Sequence, residues 1–346
     1  MPPIIVDLFS DTKTRPTAAM RAAMAAAEVG DERAGEDPTV RALEARGMTL
    51  LGKEAALYLP SGTMCNEIAL AVHCRPGETV LCEKDAHLIS FEAGGPAALA
   101  GVMLEPIAGQ RGLFNADTLR RYLRPDHLQA PRQRLLEVEQ TTNLGGGAVW
   151  SLAQLGQVAG LAHAAGLATH MDGARLFNAV AASGIAAAEQ AAGFDSVWVD
   201  FSKGLGAPGG AVLAGSQDFI HEARRWQIRI GGAMRQSGII AAACLHALDH
   251  HRDGLVADHA RARRLAEGLA RLPGLRIDPA TVTTNLVYFD IDAPAWDAAR
   301  LAAATLQHGV RLCPMATRRM RAVTHLDVDD AGIERALQVL GKLLAG

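Results

Sequence analysis

The sequence has few aromatic residues, almost no charge imbalance and no long apolar run. Phe, Trp and Tyr make up 4% of the 346 residues, too few to furnish stacking platforms for nucleic-acid bases. Lys and Arg number 34 against 37 Asp and Glu, a formal net charge of −3. That balance leaves no electrostatic footprint for nucleic acid or an anionic membrane. No uninterrupted apolar stretch reaches the length of a membrane span. The five cysteines (Cys65, Cys74, Cys82, Cys244 and Cys313) are odd in number and scattered, which argues against a disulfide framework and for a reducing compartment. His73, Cys74, Cys82 and His87 lie near one another in the chain, but their spacing matches no zinc pattern, so no metal is expected. The opening residues, MPPIIVDLFSDTK, show no basic stretch followed by an apolar one. No signal peptide is therefore expected, and the expected location is cytoplasmic.

What is present is ordinary globular material, 49% hydrophobic and 21% charged, rich in Ala and Leu and long enough to bury a full core. From about residue 54 onward, short apolar runs alternate with helical patterns. Runs at 54–60, 79–82, 101–107, 135–141, 167–172 and 196–201 read as strands. Segments 63–73, 115–123, 151–165 and 176–182 carry the helical period. Such alternation builds an α/β fold, a large domain whose mostly parallel sheet is covered by helices on both faces. Past residues 239–250 the pattern changes to long amphipathic helices at 256–272, 294–308 and 330–344 around short strands at 284–290 and 321–326. The expected organisation is a large domain over 1–248, N-terminal segment included, and a smaller α+β domain over 249–346.

In open α/β sheets, ligands sit outside the carboxyl ends of the strands, so polar residues directly after each strand are the candidates. Ser61, Gly62 and Thr63 follow a strand and open a helix. Free N–H groups and two hydroxyls there suit an anion such as phosphate, although a simple N-cap uses the same residues. Asp172 ends the strand 167–172, with Arg175 three residues on. Lys203 follows the strand 196–201 and opens the glycine-rich run KGLGAPGG. A lysine in an apolar cleft can serve as a Schiff-base nucleophile. No GxxxxGK precedes Lys203, and the glycine fingerprint of a dinucleotide-binding fold is absent after the first strand. A phosphate cradle, an anion for a pyridinium and a lysine for an aldehyde together meet the needs of pyridoxal 5'-phosphate.

Longer stretches extend this set: DLFSDTKTRPT (7–17), VGDERAGEDPTVRALE (29–44), GKEAALYLPSGTMCN (52–66), AHLISFEAGG (86–95), HMDGARLFNAV (170–180), DFSKGLGAPGGAVLAG (200–215), GGAMRQSGI (231–239) and VTHLD (323–327). In this order and over nearly the whole chain, the sequence resembles the L-threonine aldolases among the fold-type-I (aspartate-aminotransferase-like) pyridoxal-phosphate enzymes. The resemblance implies a lyase that cleaves a β-hydroxy-α-L-amino acid to glycine and an aldehyde, and runs the reverse. It implies that Lys203 carries the cofactor, that Asp172 pairs with the ring nitrogen and that Arg175 lies near the ring's phenolic oxygen. Ser61, Gly62 and Thr63 would hold the phosphate, with Arg235 reaching it from a neighbouring subunit. His87 would stack on the ring and handle protons. Ser10, Arg175 and Arg321 would grip the substrate carboxylate, while Arg318 and Arg319 read as solvated charges. A homotetramer, a dimer of dimers, is implied as well.

Three positions depart from the family pattern. Thr142 stands where a histidine near the substrate hydroxyl is usual, Ala34 replaces a tyrosine, and Phe9 replaces an arginine. A threonine hydroxyl cannot act as a base near neutral pH. If Thr142 and Ala34 line the pocket, it is enlarged, and a phenylserine-type substrate is expected to fit at least as well as threonine. The same cofactor and lysine also serve β-elimination and transamination.

Overall fold

The computed structural model describes residues 3–345. The apolar runs form β2 (Ala55–Leu59), β3 (Thr79–Glu83), β4 (Met103–Ile107), β5 (Gln133–Glu139), β6 (Ala168–Gly173), β7 (Ser196–Asp200) and β8 (Ala211–Gly215), preceded by the short β1 (Val6–Asp7). β2 to β8 make one seven-stranded sheet in the order β2-β8-β7-β6-β5-β3-β4. From β7 across to β4 every pair is parallel. β8 runs antiparallel to both of its neighbours. Every residue of β3, β7 and β8 is buried, as expected of strands covered on both faces. β8 follows directly on the glycine-rich run 203–210, where no strand is expected from sequence, and Ala211–Ala214 supply apolar side chains to pack.

One face of the sheet packs on the helices Gly62–His73 and Gln217–Arg229 through Leu57, Ile68, Leu213 and Phe219. The other face packs on Pro38–Leu51, Leu152–Ala164, Leu176–Ser183 and Gly238–His250. A separate core, including Leu265, Val287, Phe289, Leu301 and Ile333, lies under a four-stranded antiparallel sheet. That sheet comprises β9 (Leu275–Arg276), β10 (Leu286–Ile291), β12 (Cys313–Ala316) and β13 (Arg319–Val323), in the order β12-β13-β10-β9. The helices Leu255–Leu269, Ala298–Gln307 and Asp330–Ala345 contribute to the same core. The N-terminal strand, grouped by sequence position with residues 1–248, pairs instead with β11 (Val310–Arg311). Val6 and Leu8 are buried in the C-terminal core, so the chain's first strand straps onto its last hundred residues. No helix of the described residues is long and apolar enough to cross a membrane.

Two buried glutamates break the apolar pattern. Both carboxyl oxygens of Glu67 and of Glu137 are buried without a hydrogen-bond partner. Burial first, then repulsion from Glu92, pushes the Glu67 carboxyl up to about 8 from its ordinary value of 4.5. Between those two values the folded chain holds a proton that the unfolded chain has lost. Stability is therefore fully present below about pH 4.5 and declines as pH rises through about 8. A Glu67→Gln variant is expected to match the wild type in thermal denaturation near pH 4.5 and to exceed it by ~3 °C or more at pH 8. A difference that does not change with pH would contradict this account.

Candidate active site at the carboxyl ends of the parallel strands

β5, β6 and β7 end side by side, and register carries their polar residues into rows. Glu137 pairs with His170 and His170 with Ser196; Glu139 pairs with Asp172 and Asp172 with Trp198. Beyond the second row opens a cleft of about 740 Å³, within the range of small-molecule sites. It is lined by Ser61, Gly62, Thr63, His87, Glu139, Asp172, Arg175, Trp198, Asp200, Ser202 and Lys203 from the large sheet's side. Phe9, Ser10 and Thr12 of the N-terminal segment, and Cys313, Pro314, Met315 and Arg321 of the small sheet, close the other side.

Ser61 accepts from Met64 N through Oγ at 3.3 Å and caps the helix Gly62–His73. The capping role and a place in the cleft thus coexist. The first N–H groups of the helix have no intrahelical partner and face anions well. Gly62 is required here: a Cβ at this position would fall 2.1 Å from Trp198 Cη2, so only a bare backbone can lie on the indole.

Among the described residues, Lys203 is the only lysine lining the cleft. Its Nζ lies 2.7 Å from Asp200 Oδ2 and 5.4 Å from the Trp198 ring centroid. Asp200 is itself fixed, because its Oδ1 accepts from Ser202 N at 3.0 Å and Ser202 Oγ at 2.8 Å. The Lys203 carbonyl accepts from Thr14 Oγ1 at 2.7 Å. Asp172 is buried; Oδ1 accepts from Ala174 N and Oδ2 from Asn66 Nδ2, each at 2.9 Å. Burial raises its carboxyl above the ordinary range, against the pull of His87, Asn66 and Lys203. Glu139 is pushed up to about 8 by burial and by Asp172, and one of its oxygens accepts from Asn143 N at 2.9 Å. His87 opens the short helix His87–Ser90, with Nδ1 2.5 Å from Glu92 Oε1. Burial works against a charge on His87, yet the hydrogen bond to Glu92 and the charge of Asp172 raise its pKa overall.

Arg175 and Arg321 are held by different partners. Arg175 forks onto Asp11, Nε to Oδ2 at 2.7 Å and Nη2 to Oδ1 at 2.8 Å. That pairing takes two of the five guanidinium N–H groups and leaves the Nη1 end for other acceptors. The pairing holds the Asp11 carboxyl well below the usual range despite burial. Asn285 Nδ2 also donates to Asp11, at 3.1 Å, so this carboxylate ties the N-terminal segment to both sheets. Arg321 donates to Asn143 Oδ1 at 3.1 Å and to the Phe9 carbonyl at 3.3 Å, while its buried Nε has no partner. Ser10 lines the cleft, with Oγ accepting from Thr12 N and Thr12 Oγ1.

Two expectations need correction. Thr142 does not line the cleft: it is buried and donates through Oγ1 to the Arg111 carbonyl at 3.0 Å. A Cβ on Gly145 would come within 2.3 Å of that hydroxyl, so the glycine-rich turn closes over Thr142. Ala34 is exposed in a short turn, away from the cleft. The pocket is thus not enlarged within one chain by either substitution. Arg235, expected to act in a neighbouring subunit, lies outside the cleft of its own chain and pairs with Asp31 Oδ2 at 2.7 Å on the surface. Arg318 and Arg319 also lie away from it. Phe9 does line it, held between Lys13 and Arg311, whose charged groups lie 5.6 Å and 4.6 Å from its ring centroid.

Sequence reasoning did not single out Asp200, Trp198, Asn66, Glu92 or Asp11. For Asp200 a signal existed, three residues before Lys203 at the end of the same strand. Asn66 had none, because its role depends on which way one helix face lies on the sheet. Breaking the best-formed contact has a predictable cost. An Asp11→Ala variant leaves the Arg175 guanidinium buried and unpaired and is expected to lose ~3–5 kcal/mol of stability in urea denaturation; a loss below ~1 kcal/mol would show the pair to be dispensable.

Comparison with known proteins agrees with this geometry. Residues 7–292 match the family described as beta-eliminating lyase. The chain is 40% identical over 325 residues to the low specificity L-threonine aldolase of Escherichia coli, covering 94% of this chain and 95% of the relative. It is 39% identical over 341 residues to low-specificity L-threonine aldolase 1 of Arabidopsis thaliana, covering 96% and 94%. The solved threonine aldolase of Leishmania major superposes with a TM-score of 0.83 at 19% identity, covering 98% of this chain and 99% of that one. An aspartate aminotransferase from Rhizobium meliloti shares the fold, with a TM-score of 0.71 at 13% identity over 99% and 92%. With a buried carboxylate, a cleft lysine and a helix N-terminus placed as described, the chain belongs to the beta-eliminating lyase family and, within it, to the lyases of the L-threonine aldolase group.

Proposed function

We propose that this chain uses pyridoxal 5'-phosphate to cleave β-hydroxy-α-L-amino acids (L-threonine, L-allo-threonine or a bulkier phenylserine-type compound) to glycine and an aldehyde, and catalyses the reverse. The observation that carries the reading is the meeting of Lys203, Asp172 and the N-terminus of the helix Gly62–His73 in one cleft. The donor set fits the cofactor. Gly62 and Thr63 N–H groups, with the Ser61 and Thr63 hydroxyls, would take the phosphate, the Asp172 carboxylate would take the ring nitrogen, and Lys203 would hold the aldehyde carbon. When bound, the group would supply an electron sink for the pair left on Cα as a bond to it breaks.

The protein's own residues would do the rest. Arg321, which lines the cleft, would bind the substrate carboxylate, and Ser10 would add a hydroxyl. Such a grip would orient the bond to be broken for overlap with the sink, which is orientation rather than chemistry. Arg175, already anchored by Asp11, would present one of its remaining N–H groups to the ring's phenolic oxygen. His87 would lie against the ring, with Nδ1 held by Glu92 and Nε2 left to move a proton from the β-hydroxyl. Thr142, turned to Arg111, would have no part in that transfer. Phe9, Phe91, Leu144 and Met315 give the cleft an apolar wall, which supports a broad range of substrate side chains without any enlargement at Thr142 or Ala34. Arg235, on the surface of its own chain, would reach a phosphate only in a neighbouring copy, which supports the reading of a homotetramer built from two dimers.

The family's description as beta-eliminating lyase favours β-elimination as the second reading. Product analysis separates the two. Purified protein with pyridoxal 5'-phosphate and L-threonine, L-allo-threonine or L-phenylserine is expected to yield glycine and the matching aldehyde in equal amounts. Ammonia and a keto acid without glycine would establish elimination instead. An Asp172→Ala variant is expected to lose nearly all turnover, because nothing then keeps the ring nitrogen charged; turnover within a few-fold of the wild type would refute the role.

A further inference from the structure

Beneath the cleft, hydrogen bonds run through the buried layer between the sheet and the helix Gly62–His73, and their direction can be deduced. Asn66 is fully buried and uses its whole amide. Oδ1 faces Trp198 Nε1 at 2.6 Å and His170 Nε2 at 3.2 Å; Nδ2 faces Asp172 Oδ2 at 2.9 Å and Glu92 Oε1 at 3.0 Å. An indole N–H can only donate, so the Asn66 oxygen must be the atom facing Trp198. His170 must therefore carry its proton on Nε2, which leaves Nδ1 to accept. Its partner there is Ser196 Oγ at 2.8 Å, and that hydroxyl also lies 2.8 Å from His73 Nε2. The serine proton goes to His170, and the serine oxygen accepts from His73. Burial lowers His170 to about 3 and His73 to about 4, so both rings stay neutral and keep this tautomeric order. Every donor from His73 inward points toward the carboxylates of Asp172 and Glu92, and aligned bonds of this kind reinforce one another in a low-dielectric interior.

We propose that Asn66 is a positioning residue which, backed by His170, Ser196 and His73, holds the Asp172 carboxylate ionised and in place beneath the cofactor. The proposal rests on the reading that the cleft takes pyridoxal 5'-phosphate. Asn66 does not line the cleft, so it acts only through Asp172 and, by the second N–H of the same amide, through Glu92 on His87. Asparagine carries no proton under these conditions, so the chain is an electrostatic support and not a path for protons. Without it, a carboxyl this deeply buried is left to protonate, and the interaction with a ring nitrogen is lost.

The test compares two ligands on the full chain freed of cofactor: pyridoxal 5'-phosphate, and its analogue in which C–H replaces the ring nitrogen. The analogue keeps the phosphate and the aldehyde, so it reports on every contact except the one to Asp172. Fluorescence titration of an Asn66→Leu variant is expected to show affinity for pyridoxal 5'-phosphate falling by about tenfold or more, the usual worth of a hydrogen bond to a charged group. Affinity for the analogue should stay within about twofold. Ser196→Ala, which cuts the chain two links away and removes a single oxygen, is expected to give the same selectivity with a loss of about two- to fivefold; it decides the matter if Asn66→Leu fails to fold. An equal loss for both ligands, or no loss for either, would overturn the proposal. If the wild-type chain binds neither ligand, the cofactor reading itself falls, and the proposal with it.

Discussion

Asp172 is a carboxylate placed where water cannot reach it, and much of the surrounding structure follows from that burden. An ionised group in a protein interior is tolerated only when donors are aimed at it. Here one donor comes from the backbone of Ala174, where the strand turns into the next helix, and the other from Asn66 on a different helix. Asn66 in turn needs Trp198 and His170 to hold its amide, and His170 needs Ser196. The sheet face that would ordinarily be lined with Val and Leu instead carries two polar rows. Glu137 and Glu67 border the same layer without partners, and each has to remain a neutral acid to be tolerated.

A second anchor works across the cleft. The Asp11–Arg175 fork, joined by Asn285, binds three distant parts of the chain at one buried point. It has a structural consequence, since the N-terminal segment cannot leave without stranding a guanidinium. It has a functional one as well, because the same segment supplies Phe9 and Ser10 to the cleft and Thr14 to the Lys203 carbonyl. Across the cleft, Asn143 and the Phe9 carbonyl hold two of the nitrogens of Arg321 in place.

Lys203 shows how closely a nucleophile can be managed by its near neighbours in sequence. Asp200 ends β7, and the turn that follows brings the amine back over the carboxylate while Ser202 clamps the opposite oxygen. Trp198, two residues earlier on the same strand face, underlies both the amine and the bare backbone of Gly62. The helix N-terminus and the lysine amine are therefore set against one side chain, and the spacing between them is fixed by an indole.

The sequence by itself determined the α/β alternation, the smaller C-terminal unit, the strand ends at which chemistry had to be sought, and the lysine, the aspartate and the helix start that meet in one cleft. These are legible because a parallel strand is a local apolar run and its ligand-facing residues come directly after it. Only the tertiary structure decided that β1 joins the C-terminal core, that Arg175 pairs with Asp11, that Thr142 turns away under a glycine-rich loop and that Asn66 connects Asp172 to His87. Each of those outcomes depends on contacts between residues distant in sequence, as Val6 is from its strand partner Val310. A pattern of neighbours along the chain carries no record of which side chains meet across a packed interior, and a buried polar group takes its meaning from the partner it finds there.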